Sequence, residues 1–376
     1  MMRARSSIHS PRMARWLAFV LAIVVAMFTE LRPCSTFVLR SGDQLLMGRN
    51  YDWRVGSGLV LVNQRNVRKR PSYTQVGTLP SWVSRFGSIT FNQYGKELPT
   101  DGMNEAGLVV TLMWLDATRY PAPDERPALG GLSWIQYQLD NCATVEEVIQ
   151  TDQTVRISPN SSPLHFLVCD ALGNAAAIEF LDGRMVASRG ESLPVPVLTN
   201  SRYDESVQNL RQYQGFGGGL AIPTSSASLA RFVRLADWLR GYQPGSDSAV
   251  DFAFDALFSV SQSSTQWTIV FDVANRQIHF KTAETPVTRV VRLDAFDYSC
   301  ISFRWKFIDI DFNQEGDVSS HFQAFGEAAN LDLLRRTYQI INPGIPLTDL
   351  QRQAAFPSTL RCEPAKLPGR RDRGRR

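Results

Sequence analysis

The chain has 376 residues, 44% of them hydrophobic, with 40 basic against 36 acidic side chains. The surplus sits at the ends: residues 1–33 hold five Arg and one Glu, which leaves 35 of each sign beyond them. A balanced body offers nucleic acid no electrostatic foothold, and the remaining roughly 340 residues are enough for one large core.

Arg3, Arg5, Arg12 and Arg15 precede an unbroken apolar stretch of 13 residues, Trp16 to Phe28. A spanning helix needs about 20 such residues, whereas the core of a secretory signal is shorter. Residues 1–33 are therefore expected to be a signal peptide plus a short pro-segment, lost on export to the periplasm or the exterior. Thr29 to Pro33 lacks a small-x-small cleavage pattern, which puts the first cut upstream and leaves a second one before Cys34, with self-processing as one route. An uncleaved anchor is the alternative. No later segment is long and apolar enough to cross a bilayer.

The body reads as strands, then helices, then strands. Cys34–Arg40 and Leu45–Trp53 flank the turn Ser41-Gly-Asp-Gln44 and predict a hairpin. Leu59–Gln64, Gly87–Asn92 and Leu108–Leu115 are further strands, and Asp101 to Gly107 reads as a turn before the last. Ser133–Asn141 and Val145–Thr151 have helical spacing. Leu164–Asp170 and Ala175–Phe180 predict a second hairpin. Ser228–Arg240 and Ala249–Val260 are helices, and Gln266–Asp272 and Gln277–Thr282 return to strand. Residues 34–356 form a single domain on this reading, and 357–376, ending in Arg370 to Arg376, form a basic disordered tail. Nothing functional is legible after Ala283.

Of the five Cys, setting Cys34 aside leaves Cys142, Cys169, Cys300 and Cys362, compatible with two disulfides or none. The chain lacks GxSxG, HExxH, CxxC and P-loop patterns. Only four His occur, and His165 and His279 sit inside apolar strand patterns, where a structural role is expected. Gly215 to Gly219 follows no strand and reads as a flexible turn. No metal-ligand cluster stands out.

What remains is Cys34 itself. If the leader is trimmed to this residue, one amino acid carries both a thiol and a free α-amine, a nucleophile with its own base. The motifs that accompany it are Gly48-Arg-Asn-Tyr-Asp-Trp53, Asp101-Gly-Met-Asn-Glu-Ala-Gly-Leu108, Pro163-Leu-His-Phe166, Val197-Leu-Thr-Asn200, Asn209-Leu-Arg-Gln-Tyr213 and Ser225 to Arg234. In this order they resemble the choloylglycine hydrolase family of bile acid hydrolases and penicillin V acylases, from Cys34 to about Thr282. The resemblance implies an α+β fold, a four-layer αββα N-terminal nucleophile hydrolase sandwich of two mainly antiparallel sheets. It also implies cleavage of linear amide C–N bonds with no cofactor and no metal.

Carried over residue by residue, the resemblance makes Cys34 the nucleophile, with Arg49 and Asp52 beside the thiol and the amine. Asn200 matches the oxyanion donor, and Arg231 an Arg near the nucleophile, although Ala230 replaces the Ser usual before it. Ten residues after Asn104, where the family usually has Asn or Tyr, stands Trp114, whose indole or backbone N–H is the stand-in donor. Trp114, Trp53 and a short Asn200-to-Arg231 segment resemble the Gram-negative branch, in which paired Trp side chains flank an acyl pocket. The expected protein is an exported amidohydrolase of N-acyl amides with a hydrophobic acyl group, of the penicillin V or N-acyl homoserine lactone acylase type. The alternatives are a conjugated bile salt hydrolase, or a non-catalytic exported or tethered protein with this fold. Its expected partner is a small-molecule substrate, without nucleic acid or a membrane span after processing, and homo-oligomer formation is left open.

Overall fold

A computed structural model of the chain describes residues 33–71, 80–245, 248–301 and 305–363; the expected leader up to Arg32 and most of the basic tail lie outside them. Two sheets dominate. The first has seven strands in the order Val197–Leu198, Ser35–Ser41, Gln44–Asp52, Thr265–Asp272, Gln277–Thr282, Arg289–Arg292, Gly316–Asp317. The second has nine, in the order Arg184–Arg189, Ala175–Leu181, Leu164–Cys169, Val109–Trp114, Pro99–Asn104, Ser88–Asn92, Leu59–Asn63, Lys306–Asp309, Gln323–Ala324. Both are antiparallel except for the last pair of the first sheet, which is parallel.

Side-chain alternation assigns the layers. In Gln44–Asp52, Met47 and Arg49 point toward the second sheet, whereas Gly48 and Asn50 face the helices: the Asn50 amide donates to the Leu257 carbonyl at 2.8 Å. Phe91 of the second sheet meets Phe271 and Phe280 of the first edge to face, at 6.1 and 5.4 Å between ring centroids. Outside the second sheet lie α1 (Gly131–Asn141) and α2 (Val145–Gln150), whose Ile135, Leu139 and Val148 cover Val110, Phe166 and Ile178. Outside the first lie α3 (Tyr203–Leu210), α4 (Ser228–Gly241) and α5 (Ala249–Ser259), with Phe232, Val233 and Leu257 in the core. The result is the expected four-layer αββα sandwich, because each sheet has one face to bury against its partner and one against helices.

The structure departs from the sequence reading in several places. Asp101 to Asn104 is not a turn but the end of the buried strand Pro99–Asn104. A Cβ on Gly102 would stand 2.8 Å from the Ile89 carbonyl, Leu139 and Thr90, so only glycine fits under α1. Asn104 spends its amide on the Leu139 and Cys142 carbonyls at the end of α1, at 2.9 and 2.7 Å. Residues that usually favour turns are buried here because each has a tertiary partner.

Beyond Ala283 come α6 (Glu327–Ile341) and α7 (Leu347–Ala355), and Leu333 of α6 packs on Leu59 and Leu61 of the second sheet. The ordered body also passes the expected boundary at 356. Arg361–Cys362 pairs with Val67–Lys69 as a strand, and Cys362 is bonded to Cys300. One disulfide therefore forms among the described residues, neither two nor none, and Cys142 and Cys169 are free and buried. No helix among the described residues is long and apolar enough to cross a membrane.

Candidate active site

The first hairpin and the edge strand Val197–Leu198 bring the site together. Ser35 pairs with Asn50, so Cys34 lies across from the Tyr51–Asp52 end of the neighbouring strand. On its other side Thr36 pairs with Leu198, and continuing that antiparallel register by two residues sets Cys34 opposite Asn200. Gly48 is required because the Phe37 ring lies 2.6 Å from where a Cβ would stand. That close approach seats the hairpin on α5.

Cys34 is 4% exposed, and its thiol faces the Asp52 carbonyl at 3.9 Å. Burial raises the thiol above its ordinary range; the nearby positive charge of Arg49 pulls it down, and the negative charge of Asp52 pushes it up. Burial also pushes Cys142 up to about 12 and Cys169 further still. Arg49 is itself buried and anchored across the sandwich: its Nε donates to Asp101 Oδ1 at 2.8 Å. The charge beside the thiol therefore rests on an ion pair between the two sheets.

Asp52 is wholly buried, and burial raises its carboxyl to about 6, against the opposing pull of the Thr265 hydroxyl, Arg231 and Arg49. Thr265 donates to Oδ1. Oδ2 has no partner among the described residues. From α4, Arg231 reaches the backbone of the first hairpin: Nη1 donates to the Cys34 carbonyl and the Ser35 hydroxyl, both at 2.6 Å. Its Nη2 donates to Asn200 Oδ1 at 2.8 Å. Burial lowers the guanidinium to about 10, offset by Asp52 and Cys34, so it stays charged at neutral pH.

Asn200 is held at three points. Besides Arg231, its backbone N–H donates to the Ser228 hydroxyl at 2.9 Å, and its Nδ2 donates to the Trp114 carbonyl at 2.9 Å. The Trp114 indole N–H, named from the sequence as a stand-in donor, is taken by Asp116 Oδ1 at 2.6 Å. Trp53 and Trp114 do face each other, with ring centroids 6.5 Å apart.

Cys34, Arg49, Asp52, Asn200 and Arg231 thus form one connected cluster, and the two Trp rings form a pair. The sequence reading missed Asp101, Thr265, Ser35 and Ser228. Asp101 stood inside a quoted motif but was given to a turn. Ser228 also stands inside a motif, Ser225 to Arg234, without being singled out, and Ser35 and Thr265 are small hydroxyl residues whose partners are tertiary neighbours. An open cleft of about 830 Å³, lined by Arg40, Glu146, Asp170 and Arg189 among others, contains none of the cluster. Arg40 stands six residues along the strand from Cys34, roughly 20 Å away.

The sequence profile of the linear amide C–N hydrolases of the choloylglycine hydrolase family matches residues 34–303. A penicillin V acylase of Pectobacterium atrosepticum is 26% identical over 289 residues, which cover 64% of this chain and 76% of that protein. A bile salt hydrolase/transferase of Lactiplantibacillus plantarum is 26% identical over 222 residues, covering 50% of this chain and 66% of that protein. The solved structure of penicillin V acylase from Agrobacterium tumefaciens superposes with a TM-score of 0.69 at 27% identity, over 78% of this chain and 98% of that one. A variant of conjugated bile acid hydrolase from Clostridium perfringens shares the fold, with a TM-score of 0.60 at 18% identity over 78% and 96% of the two chains. The chain belongs to the choloylglycine hydrolase family and is an enzyme that hydrolyses linear amide C–N bonds, similar to the family's Gram-negative members.

Proposed function

We propose that the working enzyme begins at Cys34 and deacylates N-acyl amides bearing a hydrophobic acyl group, of the penicillin V or N-acyl homoserine lactone kind. The observation that carries this reading is the orphaned, buried Oδ2 of Asp52 at the thiol's end of the hairpin. A lone carboxylate oxygen in that setting is costly unless a cation joins it. Freeing the nitrogen of Cys34 supplies an amine that becomes that cation when it takes the thiol proton.

In the proposed cycle the α-amine, oriented by Asp52, takes the proton from Sγ, and the thiolate attacks the acyl carbon. Arg49 offsets the thiolate charge during attack. The second N–H of the Asn200 amide donates to the oxyanion, a contact worth about 3–4 kcal/mol in comparable sites. Collapse of the tetrahedral intermediate breaks the C–N bond, and the leaving amine departs with the proton. Water, deprotonated by the same α-amine, then hydrolyses the thioester and releases the acid. Trp53 and Trp114 wall the acyl group. Their pairing supports a flat aromatic acyl group such as phenoxyacetyl, or an extended alkyl chain, over a steroid. Export precedes or accompanies the trimming.

Intact mass and N-terminal sequencing test the maturation: the active form should be roughly 3–4 kDa lighter than the 42.2 kDa chain and start at Cys34. Amine release from penicillin V, a long-chain acyl homoserine lactone and glycocholate should be fastest for one of the first two. Cys34→Ala should abolish it. Activity in that variant, or in a form that keeps residues before Cys34, would overturn the proposal; glycocholate as the best substrate would overturn its specificity.

A further inference from the structure

The oxyanion arm has a support of its own, built from residues so far treated as structural. His165 lies on Leu164–Cys169 and Glu179 on Ala175–Leu181; one step beyond the Phe166–Ile178 pair they stand side by side. They are 0% and 2% exposed. His165 Nε2 lies 2.7 Å from the Thr199 carbonyl, and Nδ1 lies 3.2 Å from Glu179 Oε1. The same carboxylate accepts the Tyr203 backbone N–H, at 3.1 Å to Oε1 and 3.3 Å to Oε2. Thr199 and Tyr203 bracket Asn200.

A carbonyl oxygen can only accept, so Nε2 must carry a hydrogen. Nδ1 then either donates to the Glu179 carboxylate or accepts from its acid form, and one proton is shared by the two side chains in both cases. A buried pair of this kind is demanding to assemble, and a strand carrying nothing but packing would not need it. Here it secures the backbone on both sides of one residue. The Tyr203 hydroxyl extends the grip by donating to the Val195 carbonyl at 2.8 Å.

We propose that His165 and Glu179 are positioning residues: they clamp the chain on either side of Asn200 and thereby hold its amide in register with the acyl oxygen. The inference rests on the proposed oxyanion role of Asn200 and deepens it. Neither residue touches substrate. They act through Thr199 and Tyr203, so their effect should vanish once Asn200 has no amide to place.

A double-mutant cycle on the mature enzyme with penicillin V tests this. His165→Gln keeps one donor and loses the shared proton, and Glu179→Ala removes the carboxylate. Each should lower kcat about tenfold or more with KM changed less than about twofold. In an Asn200→Ala background the same substitutions should cost less than about twofold. Glu179→Gln, which keeps an acceptor for Tyr203, should recover part of the loss. Alkylation of Cys34 by iodoacetamide needs no oxyanion donor, and its rate should stay near the parent's in all of them. Full cost persisting in the Asn200→Ala background, undiminished kcat in the single variants, or slowed alkylation would each overturn the clamp. An Asn200→Ala enzyme of full activity would instead remove the oxyanion role itself, and the clamp with it.

Discussion

Burial gives Asp52 a carboxyl that the fold prefers protonated: its value rises from 3.8 to about 6. With the folded value above the unfolded one, this group's stabilisation is complete below about pH 4 and is lost as pH climbs through about 6. Two units correspond to about 3 kcal/mol, an order-of-magnitude figure for a wholly buried group. In the untrimmed Cys34→Ala chain, Asp52→Asn should therefore raise the unfolding free energy at pH 8 by on the order of 2 kcal/mol and have little effect at pH 4. Urea unfolding at the two pH values measures this, and an equal effect at both would sink the account of the orphaned oxygen. In the trimmed enzyme the new ammonium should pull the carboxyl below 6, and the same substitution should cut kcat about a hundredfold or more. On the proposed mechanism, stability given up at this residue serves the chemistry.

The hairpin shows which elements a sequence discloses. Its strands were legible because alternation is local: Phe37 and Gly48 on one face, Met47 and Arg49 on the other, with a Gly-Asp turn between. The strand Pro99–Asn104 was hidden, since Asp101 and Gly102 are buried for reasons that lie on other strands. Helix α6 was hidden for another reason: its buried face, Asn330, Leu333, Leu334 and Thr337, is half polar, while the apolar Ile340 is 52% exposed. The site was legible through Cys34, Arg49 and Asp52 because they share one hairpin, and through Asn200, Arg231, Trp53 and Trp114 because whole motifs resembled a family. The hydroxyl partner Thr265 carries no such marker, and Ser228, inside the motif of Arg231, is one serine among three. Gly48→Ala probes the hairpin directly. Its methyl would meet the Phe37 ring, costing about 1–3 kcal/mol and shifting the nucleophile strand. Thermal melts and amide hydrolysis should both fall. A variant with normal stability and rate would show that Phe37 has room to move.

At the scale of the whole molecule, the two-sheet core carries the chemistry, and the C-terminal segment is tied to it by one cross-link. The Cys300–Cys362 bond closes a loop across a separation of 62 residues, with Val67, Trp305 and Leu360 packed around it. Loop closure of that length is worth about 4 kcal/mol at most. The paired Cys300→Ser and Cys362→Ser chain should unfold at lower urea by an amount within that bound. Its kcat on penicillin V at 25 °C should match the parent's, because the cross-link shares no residue with the proposed catalytic cluster. A large loss of turnover without loss of stability would contradict that separation.

Arg231 grips the backbone of a residue 197 positions earlier, and Thr265 binds the carboxylate of one 213 positions earlier. A ribosome makes the thiol well before these two residues. On the proposed mechanism the thiol is therefore unarmed until Arg231 and Thr265 have been made and have folded back onto its strand pair.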